Sequence, residues 1–168
     1  FNSYISKFVY EKFGEFNGKV IEITHSNIRD NRKIKNFDYE ELKILFLGSA
    51  EQYKGLPLLI DSLKDIREKF VLDIYGNGFE INVNEINDRI KFNGKYNNND
   101  LEKIMEKHNL LIVPSICYET FGFTLLEGLS NGMPIITSNT VGSSYLIHNN
   151  KTGYIIKPNK DELVEKIK

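Results

Sequence analysis

Leu110-Leu111-Ile112-Val113-Pro114-Ser115-Ile116-Cys117-Tyr118-Glu119-Thr120-Phe121-Gly122-Phe123-Thr124-Leu125-Leu126-Glu127-Gly128 begins as an unbroken apolar run and ends as a helical pattern. The run Leu110–Val113 has the length and side chains of a strand buried on both faces. Leu125, Leu126 and Leu129 fall on one side of the following helix. Between them lies a loop with one glycine and two carboxylates, Glu119 and Glu127, eight positions apart. A strand that feeds a helix through such a loop gathers backbone N–H groups, the positive end of a helix dipole and acidic side chains. Those groups suit a phosphorylated, hydroxyl-rich ligand.

The same alternation continues on both sides. Upstream, Leu42–Leu47 is an apolar strand ending at Gly48-Ser49, and a helix is expected over about 56–68 with Leu58, Leu59, Leu63 and Ile66 inward. Phe70–Tyr75 is a second strand, broken by Gly76-Asn77-Gly78, and Arg89–Phe92 a third. A short helix is expected over 79–88, and Asn99 or Asp100 caps another through Lys107. Downstream, Pro134–Thr137 and Gly153–Ile156 are strands, Gly142-Ser143-Ser144 opens a short helix, and Asp161 caps the last one. Near the beginning, residues 3–13 set Tyr4, Phe8 and Val9 on one helical face, Lys19–Thr24 has the pattern of a short strand, and His25–Tyr39 that of an exposed connection. Strands that alternate with helices and are apolar throughout imply an α/β, doubly wound, mostly parallel sheet with helices on both faces. Ligands of such sheets bind beyond the carboxyl ends of the strands. The loops that matter therefore start at Gly48, Gly76, Gly94, Pro114 and Ser138.

Composition narrows the partners. In 168 residues, 22 Lys and Arg balance 23 Asp and Glu, so net charge gives no reason to expect nucleic acid. The single cysteine, Cys117, excludes an internal disulfide framework and a cysteine-rich metal site, and fits a reducing compartment. Cys117 is expected to be inert, a buried thiol rather than a reactive one. His25, His108 and His148 are scattered without metal-ligand spacing. No run approaches the roughly 20 apolar residues that span a bilayer. The chain opens at Phe1 rather than Met, as a piece of a longer protein would. Gly76-Asn77-Gly78 has Ile81 where a third glycine would complete a dinucleotide fingerprint, and no phosphate loop of the Walker type occurs. A nicotinamide cofactor is thereby disfavoured.

Two side chains have rival readings. Lys54, beside Gly55, sits in the loop after the first regular strand, where an ammonium group reaches a phosphate at the strand ends. By itself a plain surface lysine is the better explanation, because lysines are mostly exposed, and the adjoining glycine and the place in the first loop favour the phosphate reading only modestly. Glu127 offers a carboxylate to ligand hydroxyls, yet Thr124-Leu125-Leu126-Glu127 is also a Thr-x-x-Glu capping box. Spacing does not separate the two.

Taken together, these pieces resemble the donor-binding half of a GT-B-fold retaining glycosyltransferase of group 1 (family 4), the E-x7-E type. Glu119-Thr120-Phe121-Gly122-Phe123-Thr124-Leu125-Leu126-Glu127 matches the signature, flanked by Val113-Pro114-Ser115 and Ser130-Asn131-Gly132-Met133-Pro134-Ile135-Ile136. Leu47-Gly48, Lys54-Gly55-Leu56, Ile74-Tyr75-Gly76-Asn77-Gly78 and Asn150-Lys151-Thr152-Gly153-Tyr154 follow the family's order. The resemblance implies a Rossmann-like domain over residues 39–168, with residues 1–38 as the end of an acceptor-side domain and its linker. It implies a nucleoside-diphosphate sugar, UDP- or GDP-linked, as substrate and no cofactor or metal. Glu119 would be the catalytic residue, against the donor sugar, and Glu127 would hold the ribose. Gly48, Ser49, Lys54, Gly76, Asn77, Phe121, Gly122, Phe123 and Thr124 would complete the donor site, Lys54 and the N–H groups of Phe123 and Thr124 taking the diphosphate. The family usually has arginine where this chain has Ser49, which puts more of the phosphate charge on Lys54 and leaves a non-catalytic nucleotide-sugar-binding or scaffolding homologue as a rival. The further expectations are hexosyl transfer in bacterial surface polysaccharide (O-antigen or capsule, lipopolysaccharide) synthesis and no transfer by this segment alone. They extend to a lipid-linked saccharide acceptor and a cytoplasmic location, peripheral at the inner face of the membrane through the acceptor-side domain.

Overall fold

The computed structural model describes residues 1–21, 23–24, 28–33, 40–78 and 88–168. Strands β1 (Leu42–Leu47), β2 (Phe70–Tyr75), β3 (Ile90–Gly94), β4 (Leu110–Val113), β5 (Ile135–Ser138) and β6 (Gly153–Ile156) alternate with helices. The helices are α1 (Tyr4–Glu11), α2 (Leu56–Leu63), α3 (Leu101–Glu106), α4 (Phe123–Ser130) and α5 (Lys160–Ile167). The sheet order is β3-β2-β1-β4-β5-β6, and every neighbouring pair is parallel. This is the doubly wound order, in which the chain reverses direction across the sheet between β1 and β4.

The strands are buried on both faces because helices cover both. Ile44 and Phe46 of β1 point to a layer with Leu56, Leu59 and Leu63 of α2 and Leu163 of α5. Leu45 and Leu47 point the other way, among Met105 of α3, Leu111, Leu125 of α4 and Val141. An apolar strand with no polar alternation is what such a two-sided core requires. His108 has its structural reading: it is buried, one ring nitrogen 2.6 Å from the Ile104 carbonyl and the other 3.0 Å from the Asp73 carboxylate. It ties the end of α3 to β2.

Several expectations change. Helix α2 stops at Leu63, where Lys64, Asp65 and Ile66 close tighter turns onto Asp61, Ser62 and Leu63, carrying Ile66 into the core without further helix. The cap of α5 is Asn159, whose side chain accepts the Glu162 N–H at 2.9 Å, rather than Asp161. Residues 19–21 and 23–24 form no strand. The short segment at Gly142-Ser143-Ser144 becomes a 3-10 turn over Ser144–Leu146. Cys117 is exposed instead of buried, because its loop runs over the surface. Helix α1 forms, but it buries Ser3 and Ser6 and leaves Tyr4 and Phe8 largely exposed. Its start is fixed by a capping box in which Ser3 and Ser6 satisfy each other's backbone N–H groups. The helix expected at 79–88 and the connection at His25–Tyr39 lie wholly or partly outside the described residues.

Gly55 sets how closely the first loop can approach the fourth strand. It has φ 78° and caps α2, and a Cβ placed on it would lie 2.0 Å from the Pro114 carbonyl oxygen. Gly55→Ala is therefore expected to destabilise the chain by about 2 kcal/mol or more, from left-handed strain plus a backbone clash. An unchanged midpoint in urea unfolding would refute this.

Candidate functional site

The switch between β1 and β4 is where a doubly wound sheet opens a crevice. Both flanking loops enter it and are stitched together by an Ile116 N–H bond to the Tyr53 carbonyl, 2.8 Å. Lys54 arrives on the first loop and Glu119 on the second. Lys54 Nζ lies 3.0 Å from Glu119 Oε1, with side-chain exposures of 29% and 15%. The structure thus joins two residues, 65 positions apart in the chain, that the sequence placed in separate motifs. The plain-surface reading of Lys54 does not account for this pairing.

Glu119 is held from several directions. Its N–H donates to the Thr140 carbonyl at 2.9 Å, so the loop runs beside the turn after β5. Ser115, fully buried, donates its hydroxyl to Glu119 Oε1. Beneath it, Ser138 Oγ and Thr140 Oγ1 both donate to the Ser115 carbonyl, at 2.6 and 2.5 Å. These buried hydroxyls replace water for backbone that leaves the sheet, which would otherwise carry a desolvation penalty.

Gly122 starts α4 at φ 87°, and a Cβ there would lie 2.5 Å from Val141 Cγ1. Helix α4 begins at Phe123, so Thr124 is its second residue and cannot be its cap. The Thr124–Glu127 capping box is therefore not formed. Removing that explanation leaves Glu127 one turn into the helix. Phe123 and Thr124 stand at the first turn of α4, the end of a helix whose dipole and N–H groups suit an anion. Phe121 has a buried side chain, tilted against the Phe123 ring at 5.1 Å, so it supports the loop from beneath.

The remaining expected residues line the neighbouring loops. Gly48 and Gly76 touch backbone to backbone: a Cβ on Gly76 would lie 1.7 Å from the Gly48 carbonyl oxygen. Asn77 accepts the Ala50 N–H at 2.9 Å through its carbonyl. Ser49 donates to the Tyr53 hydroxyl, which donates in turn to Glu51, and the Glu51 carboxylate is the main cause that pushes the Tyr53 pKa up. Where the family's arginine would stand, this chain has a neutral hydrogen-bonded chain ending in an acid.

Glu127 lines a cavity of about 340 Å³ with Arg29, Asn31, Asn98, Asn99 and Asn131, to whose wall neither Lys54 nor Glu119 contributes. Within that wall, Asn131 Nδ2 donates to the Glu127 carbonyl at 2.8 Å, while its Oδ1 is buried without a partner. Tyr96, on the loop after β3, has its pKa pushed up to about 12, first by burial and then by the Glu127 charge. Sequence reading gave no site role to Ser115, Ser138, Thr140, Tyr96 or the asparagines of this wall. Isolated serines and asparagines in loops have no spacing signal, and only the fold brings them together. Among the described residues no group of three His, Cys, Asp or Glu side chains could hold a metal ion.

A family model described as "Glycosyl transferases group 1" matches residues 27–168. The chain belongs to this family. Group 1 members similar to it include an uncharacterised glycosyltransferase of Methanocaldococcus jannaschii, 27% identical over 74% of this chain and 34% of that protein. Another is the O-antigen chain mannosyltransferase C of Escherichia coli, 32% identical over 72% of this chain and 34% of the mannosyltransferase. Among solved structures, Anabaena HepE in complex with UDP and glucose superposes with a TM-score of 0.80 at 18% identity, over 98% of this chain and 50% of HepE. The fold is the Rossmann-like half of the GT-B architecture. The chain spans about a third of the length of the curated relatives named here.

The Tyr96 shift gives a testable pH dependence. A tyrosine whose pKa is about 12 when folded and about 10 when unfolded keeps its proton better in the folded state. Its contribution to stability is complete below pH ~10 and is lost as pH rises toward 12. Tyr96→Phe should flatten that alkaline decline, and Glu127→Gln should lower the Tyr96 pKa in a tyrosinate absorbance titration. Identical alkaline unfolding curves for wild type and Tyr96→Phe would refute the assignment.

Proposed function

We propose that this chain is the donor-binding domain of a retaining glycosyltransferase that moves a hexose from a nucleoside-diphosphate sugar to an acceptor in surface polysaccharide synthesis. The observation that carries it is the meeting of Lys54 and Glu119 across the sheet's switch point, 3.0 Å apart, beside the first turn of α4. Loss of a nucleoside diphosphate leaves negative charge on its terminal phosphate. An ammonium group and helix N–H groups fixed near that charge lower the barrier without reorganising. Glu119, acceptor-only when ionised, suits the hydroxyls of the sugar that stays behind. Glu127 and the recess it lines suit the ribose and base. These assignments need no metal and no cofactor.

The acceptor side follows from the surface of α1. Tyr4, Phe8, Tyr10 and Phe13 are exposed, Phe13 to 83%, while Ser3 Oγ donates to the Thr120 carbonyl and anchors the helix to the loop that bears Glu119. Phe8 also meets the exposed Tyr118 ring of that loop at 6.1 Å, and exposed aromatics that adjoin in this way mark a surface meant to be covered. In this reading residues 1–38 belong to the end of an acceptor-side domain. That domain completes the active site, brings the enzyme to the inner face of the membrane and takes a lipid-linked saccharide, so this segment alone transfers no sugar. Among the described residues, no helix is long and apolar enough to cross a membrane.

The test is a thermal-shift screen with UDP, GDP and their hexose conjugates, since selective binding raises the unfolding temperature. At 100 times Kd a ligand adds about 2.7 kcal/mol, several degrees for a domain of this size. One base should stabilise selectively, Lys54→Ala should weaken the nucleoside diphosphate, and Glu119→Ala should remove the extra affinity conferred by the sugar. No shift with any of them at millimolar concentration would refute the donor reading.

A further inference from the structure

We infer that Ser115 is a positioning residue for Glu119: it anchors one carboxylate oxygen so that the other faces the ligand. The inference rests on the donor reading and adds a division of labour within one carboxylate. Glu119 Oε1 takes two donors, the Ser115 hydroxyl and Lys54 Nζ at 3.0 Å. Oε2 points toward the start of α4, lying 3.6 Å from where a Cβ on Gly122 would stand. Among the described residues no hydrogen bond is made to Oε2. The bound oxygen and the available one are therefore distinct atoms.

Lys54 alone cannot supply this anchorage. It is a long, rotatable point charge and the group expected to turn toward an arriving phosphate. When it does, a carboxylate held only by lysine would swing after it. The Ser115 hydroxyl has the opposite character: it is 1% exposed, on a residue whose carbonyl is gripped by Ser138 and Thr140. The loop's own turn brings Ser115 and Glu119 together, and the Thr140 carbonyl holds the Glu119 N–H in register. Ser115 thus keeps Glu119 in place while its ionic partner is shared with the ligand. Fixing a binding group by a buried neighbour is what preserves affinity for the part of the ligand it meets.

A structural role for Ser115 in the buried hydroxyl cluster predicts something different, and Ser138→Ala is the comparator. Ser138 bonds the Ser115 carbonyl but not Glu119. The readout is the ratio of the Kd for UDP to that for UDP-glucose, with GDP and GDP-mannose in parallel, measured calorimetrically on this chain. Ser115→Ala should cut the sugar-dependent ratio about tenfold and leave nucleoside diphosphate affinity within about twofold, whereas Ser138→Ala should preserve the ratio. Equal ratios in wild type and Ser115→Ala would overturn the inference, as would equal losses in the two serine variants. A crystal structure of Ser115→Ala decides the matter even if the wild type binds none of the four probes, a result that would count against the donor reading. A Glu119 carboxylate rotated onto Lys54 supports the positioning role, and an unmoved one overturns it.

Discussion

The Pro114 carbonyl occupies the space where a side chain on residue 55 would be. From this one contact the geometry of the crevice follows. It lets the loop after β1 lie directly on the loop after β4, makes the Ile116–Tyr53 backbone bond possible and sets Lys54 against Glu119. A larger residue at 55 would push the first loop away from the sheet and separate the charges. The approach depends on both glycine's freedom at positive φ and its lack of a side chain.

Given that contact, the electrostatics are economical. Lys54 and Glu119 are both partly withdrawn from water, so each would be costly to leave without a partner. Together they form a pair whose net worth in the absence of ligand is small, since attraction and desolvation nearly cancel. An anion with attached hydroxyls can thus replace each partner's contact with the other at little cost. The neighbouring Ser49–Tyr53–Glu51 chain adds no positive charge, so cationic attraction in this loop is concentrated on Lys54.

The architecture could be read from the sequence almost entirely, because its cause is local. Leu42–Leu47 and Leu110–Val113 are too apolar for anything but a strand covered on both faces, and their alternation with helical patterns leaves few topologies. Pattern failed where the outcome depended on contacts between distant segments. The Thr124–Glu127 spacing permits a capping box, but the left-handed turn at Gly122, packed on Val141, starts the helix two residues too early for it. Tyr4 and Phe8 look like a core face until the helix is seen resting on its serines. Glu119 and Lys54 were identifiable as candidates from their motifs. Their ion pair was not, since it joins loops 65 positions apart, and the serine beneath it, though only four residues from Glu119, carries no pattern that marks it as buried against the carboxylate.

The order of the sheet also bears on how the molecule assembles. Strand β1 pairs with β2 (Leu42 with Phe70) and β4 with β5 (Leu111 with Ile135), each over a modest stretch of chain. The central pairing of β1 with β4 (Ile44 with Leu110) must instead wait for the whole of the first half. Closing the longer loop costs little at equilibrium, about 0.6 kcal/mol for each doubling, but non-local pairings are the slow ones. The crevice therefore coincides with the least local strand pairing of the sheet, where Lys54 faces Glu119. A molecule bound there spans the two strands whose pairing closes the longest loop, and so would tie the two halves of the sheet together as well as occupy the site.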